Sequence, residues 1–76
     1  MPHISVKMYA GRSEEQKQAI AAALAEAMMA SSGCSDASLS ISIEDVEPAD
    51  WKDKVYAPEI EAAGNRLYKQ PGYKPA

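Results

Sequence analysis

The stretch His3 to Gln16, HISVKMYAGRSEEQ, reads as a strand, a turn and the start of a helix. Ile4, Val6 and Met8 alternate with His3, Ser5, Lys7 and Tyr9, the period of two that marks a half-buried strand. Gly11-Arg12 reads as a turn, and Ser13 followed three residues later by Gln16 has the form of a capping box, with Glu14 and Glu15 placing negative charge on a helix N-terminus. A strand over His3–Tyr9 therefore passes directly into a helix. That helix is predicted from about Ser13 to Ser31, where Gly33 ends it. Ile20, Leu24 and Met28, flanked by Ala19, Ala23 and Ala27, predict its apolar face.

Beyond the polar link Gly33–Ser38, LSISIEDV (residues 39–46) alternates again and predicts a second strand. Two strands joined by one helix lie parallel in a right-handed crossover, so residues 3–46 read as one βαβ unit. Pro48 breaks the pattern, Trp51 follows in a polar turn, Pro58–Lys69 has the composition of a shorter second helix, and Gln70-Pro71-Gly72-Tyr73 is a stop signal. A two-stranded sheet under one helix is not stable by itself. Pairing two copies edge to edge gives a four-stranded sheet with its helices on one face. The expectation is a single α/β (α+β) domain over residues 1–76, with two parallel strands per chain completed in a homodimer.

Composition narrows the function classes. Seventy-six residues with one cysteine bury little core and close no internal disulfide, which again favours association with a second copy. A formal charge of −3, with the basic residues scattered, offers no stripe for a nucleic acid. No apolar run is long enough to span a membrane, and the N-terminus lacks a signal-peptide core, so the expected compartment is the cytoplasm. Cys34 has no Cys or His partner at metal spacing, and neither a metal nor a cofactor is expected.

Pro2 precedes the first strand. Proline has no amide to give to a ladder, so a strand can begin there for structural reasons alone. If Met1 is removed, the Pro2 nitrogen becomes a secondary amine that can take and return a proton near neutral pH. Burial and a nearby cation such as Arg12 would push its pKa below that of an ordinary α-amine.

Pro2 behind Met1, the strand HISVKMY, the block Gly11-Arg12-Ser13-Glu14-Glu15-Gln16-Lys17 and the second strand at Leu39–Val46 together resemble the 4-oxalocrotonate tautomerase family, over nearly the whole chain. The tail Pro71-Gly72-Tyr73 is similar to that of a longer, dimeric branch acting on small enols such as phenylenolpyruvate. The resemblance implies a βαβ fold, a cofactor-free enol–keto isomerisation, Pro2 as catalytic base and Arg12 as the ligand of a substrate carboxylate. Where the hexameric prototype carries a second arginine this chain has Ser40, which leaves a hydroxyl, a backbone N–H, water or another cation to polarise the substrate oxygen. A monocarboxylate with an apolar end then fits better than a dicarboxylate. Trp51, standing where the prototype has phenylalanine, is either a pocket wall or ordinary packing. Arg12 is either the carboxylate ligand or a solvated turn residue paired to Glu14 or Glu15.

Two other readings stand beside this one. A protonated Pro2 acting as acid, with Glu44 or Glu47 activating water, would hydrate or dehalogenate an unsaturated acid. A structural Pro2 would leave a non-catalytic, oligomeric ligand-binding module. His3 falls on the strand face opposite Pro2 and reads as a surface or interface residue, while Arg66, Tyr68, Lys69 and Tyr73 read mostly as helix surface able to close a partner's pocket.

Overall fold

The computed structural model describes residues 1–75. Strand β1 (His3–Tyr9) and strand β2 (Ser40–Val46) flank helix α1 (Glu14–Ser32). The strands pair in parallel, in one register from His3 opposite Ser40 to Tyr9 opposite Val46. Ser13 caps α1 as its sequence requires: its hydroxyl accepts from the Gln16 N–H (3.1 Å), and the Gln16 side chain accepts from the Ser13 N–H (3.0 Å). At the other end Gly33 adopts φ 76°, a left-handed conformation that a Cβ disfavours, and its N–H closes on the Met29 carbonyl.

The parallel register puts Ile4 opposite Ile41 and Val6 opposite Ile43 on one sheet face. Lys17 of α1 bonds Asp45, the partner of Met8 on that same face, at 2.8 Å. The half-buried side of α1 carries Ile20, Ala21, Leu24, Ala25, Met28 and Met29, whereas Ala19, Ala23 and Ala27 are exposed. The apolar stripe is therefore centred one residue C-terminal of the predicted one. Alanines flank Ile20, Leu24 and Met28 on both sides, so composition could not choose between them.

The opposite face carries His3/Ser40, Ser5/Ser42, Lys7/Glu44 and Tyr9/Val46. Its Tyr9 end is covered by the C-terminal region, where Lys7 donates to Glu59 and Tyr9 meets Trp51 edge to face, with ring centres 5.1 Å apart. Val46 and Val55 are buried there, while His3, Ser5, Ser40 and Ser42 stay exposed.

The C-terminal helix differs from the expected Pro58–Lys69. A wide π-helical segment runs Lys52–Ile60 with Pro58 inside it, followed by a 3-10 segment Glu61–Arg66. Pro58 has no N–H and its ring crowds the preceding turn, so it stands where the helical ladder is widened rather than where it starts. Gly64, at φ 60° and ψ −130°, kinks the second segment, and Leu67–Lys69 lie beyond it.

Only Val46, Val55 and Ala63 are buried among the described hydrophobic residues. The chain exposes 5688 Å², against roughly 4,500 Å² for a compact monomer of this mass. Its radius of gyration is 13.9 Å, above the roughly 11 Å typical of this length. The excess, on the order of 1,000 Å², matches the area one partner contributes to a stable interface.

Candidate active site

Pro2 is half-buried at the head of β1, and Met1 before it is fully exposed, so removing Met1 sacrifices no packing. The Pro2 carbonyl accepts from the Ser40 N–H at 3.3 Å, which ties Pro2 to the start of β2 without calling on its nitrogen. Ser40 Oγ and His3 Nδ1 lie 2.7 Å apart across the ladder. Pro2, His3 and Ser40 thus form one cluster at one end of the sheet.

Arg12 and Trp51 stand at the other end. Arg12 follows the turn after Tyr9, exposed, and makes no ion pair among the described residues, so the alternative pairing with Glu14 or Glu15 is absent. Trp51 is half-buried between the 3-10 turn Pro48–Asp50 and the π-helical segment. Its indole N–H donates to the Tyr73 hydroxyl at 2.8 Å, and the Tyr73 ring lies 5.8 Å from that of Tyr56. Tyr73 also lines a cleft of about 360 Å³ with Tyr56, Ile60, Leu67 and Pro71. Trp51 is thus packed against Tyr9 and tethered to the tail.

Between the two ends runs β1, seven residues long, or roughly 20 Å at about 3.3 Å per residue. The sequence leaves open which chain brings Arg12 to Pro2. Within one chain the structure separates them, because the intervening residues form a fully extended strand. Glu44 stands opposite Lys7 in mid-sheet, and Glu47 follows β2 at the Tyr9 end, so neither joins the Pro2 cluster. Cys34 is a free, half-buried thiol whose N–H bonds Ser32 Oγ. The described residues hold no cluster of metal-ligating side chains and no helix long and apolar enough to cross a membrane.

Sequence reasoning missed the His3–Ser40 bond and the Tyr9–Trp51–Tyr73 chain of contacts. The first was within reach, since alternation puts both residues on polar faces and only the register was missing. The second depends on how residues 47–75 fold back over the sheet, which carries no periodic signal.

The family described as "Tautomerase enzyme" matches residues 2–52. A "Probable tautomerase" of Xylella fastidiosa (strain 9a5c) is 49% identical over 73 residues, covering 96% of this chain and 89% of that protein. "Tautomerase PptA" of Pectobacterium carotovorum subsp. carotovorum (strain PC1) is 45% identical over 74 residues, covering 96% of this chain and 97% of its own. Among solved structures, YwhB, a homologue of 4-oxalocrotonate tautomerase, superposes with a TM-score of 0.59 at 33% identity over 60% of this chain and 75% of its own. A 4-oxalocrotonate tautomerase isozyme from Methylibium petroleiphilum gives 0.63 at 32% identity, over 66% and 81%.

Proposed function

The chain belongs to the tautomerase family of enzymes, and on that premise we propose that it isomerises a small 2-hydroxy-enol carboxylate, phenylenolpyruvate-like, to its keto form without a cofactor, using Pro2 as general base after loss of Met1. The observation that carries this reading is the setting of Pro2: half-buried, anchored through its carbonyl, and preceded by a residue that packs on nothing. The neutral amine takes the enol O–H proton, leaving an enolate, and the resulting ammonium returns a proton to carbon on the same side of the planar substrate.

The site is completed by a second copy. Joining the free edges of two β1 strands antiparallel about a twofold axis lays the Tyr9 end of one beside the His3 end of the other, about 5 Å away. The partner's Arg12 then reaches Pro2, where its planar guanidinium holds the substrate carboxylate at two points. The partner's Trp51, on the same sheet face as its own Tyr9, walls the open surface around His3 and Ser40. The Ser40 hydroxyl faces the substrate's 2-oxygen.

The test is the pH dependence of ketonisation together with a block at nitrogen. kcat/KM rises with pH through one ionisation below the range of an ordinary α-amine, because only the neutral amine accepts the proton. Retained Met1 or N-acetylation leaves the fold intact and abolishes turnover. A blocked, folded protein that turns over enol at the normal rate would remove Pro2 from the chemistry.

A further inference from the structure

Ser40 Oγ carries a single proton, and its bond to His3 Nδ1 decides where that proton goes. If Nδ1 is unprotonated, it accepts the hydroxyl proton and Ser40 turns only lone pairs outward. If Nδ1 carries hydrogen, the imidazole donates to Oγ and the hydroxyl proton is free to point at a ligand. The pair lies at the Pro2 end of the sheet, since Ser40 N–H bonds the Pro2 carbonyl and His3 is the next residue along the chain. Both side chains are exposed on the part of the sheet that the C-terminal region leaves open.

We infer that His3 is a positioning residue: its Nδ1–H holds the Ser40 hydroxyl with its proton directed at the substrate's 2-oxygen. The inference rests on the tautomerase reading of Pro2 and gives that site its oxyanion contact. When Pro2 removes the enol proton, the O–H bond breaks and negative charge gathers on the 2-oxygen. Ser40 donates a hydrogen bond to that charge. The prolyl ammonium then gives its proton to C3: the N–H bond breaks, the carbon–carbon π pair forms the new C–H bond, and an oxygen lone pair closes the C=O. His3 and Ser40 finish as they began, and no proton is consumed.

The tests use the intact dimeric protein and phenylenolpyruvate ketonisation. Losing one hydrogen bond to a charged oxygen lowers kcat by about 10- to 100-fold with little change in KM, so His3→Ala and Ser40→Ala each show that loss. The double variant is no worse than Ser40→Ala, because His3 acts only through Ser40. His3→Asn, whose amide can donate to Oγ, recovers part of the rate. A second readout does not involve turnover: His3 is the chain's single histidine, so imidazole ¹⁵N shifts report its tautomer directly, with Nδ1–H expected in the wild type and a shift toward Nε2–H in Ser40→Ala. Additive losses, an unaffected His3→Ala, or an Nε2–H wild type that still turns over enol would each overturn the dyad and leave Pro2 untouched. A wild type that ketonises no enol would overturn the role of the dyad together with the reading beneath it, whatever the tautomer.

Discussion

Pro2 and Arg12 stand at opposite ends of β1, separated by the full length of a seven-residue strand. The proposed base and carboxylate ligand must sit within one small substrate's length of each other, so the proposal requires that they come from two chains. The sparse interior and the excess exposed area of the isolated chain agree with a subunit that finishes its core and its site in the same act of association.

Arg12→Ala is expected to raise KM and lower kcat/KM for a monocarboxylate enol, by about 1.5–3 kcal/mol for one charge-assisted contact. Arg12 is exposed and ion-paired to nothing among the described residues, so the melting temperature stays unchanged. Steady-state kinetics beside a thermal melt checks both halves. Unaltered kinetics would return Arg12 to the solvent.

Tyr73→Phe removes the acceptor of the Trp51 indole N–H. Trp51 is the only tryptophan in the chain, so its emission reports the change directly. A shifted emission maximum is expected, with a severalfold loss of kcat/KM for an aryl enol and a smaller loss for an enol without the ring, since one neutral hydrogen bond contributes about 1 kcal/mol. Equal losses for both substrates would mean that Trp51 does not wall the site.

The βαβ core was legible because its signals are local. Alternation at residues 3–9 and 39–46, the Ser13–Gln16 box and Gly33 each specify their own conformation, and they agree with one another. Residues 47–75 were legible only in outline. Pro58 is as compatible with the first turn of a helix as with a widened interior turn, and the choice is made by the contacts of Trp51 and Glu59 with β1. The candidate residues were legible one by one, but their grouping was not: which of them meet depends on strand register and on a second chain.

Two lysines tie this fold together and give it a pH signature. Lys7 is held above the ordinary lysine pKa, first by its hydrogen bond to Glu59, against some lowering by desolvation, with the charges of Glu59 and Glu44 adding to the rise. Lys17 is raised in the same way, first by its hydrogen bond to Asp45, against desolvation, with Glu14 adding to the rise. A pKa raised on folding contributes stability that is fully present below the unfolded value and lost as pH climbs through the folded one. Lys17→Met should therefore be less stable than the wild type up to about pH 10, with the gap closing above it. Denaturant midpoints across that range test this, and a gap that stays constant into strong alkali would contradict it.

Sedimentation at micromolar protein is expected to show a dimer. The C-terminal segment from Lys52 lies over one sheet face, which leaves the strand edges as the natural place for a second copy. A stable hexamer, or a monomer, would contradict edge pairing as the whole of the assembly.

Subunit complementation asks whether Pro2 of one chain works with the partner's Arg12. A chain whose Pro2 nitrogen is blocked and a chain carrying Arg12→Ala are each inactive or nearly so alone. They are unfolded together in equal amounts and refolded. If the site is shared across a twofold axis, half the dimers are mixed and each mixed dimer holds one intact site, so activity returns to about a quarter of the wild-type value. If Pro2 and Arg12 serve within one chain, or never meet, the mixture stays as inactive as its parts.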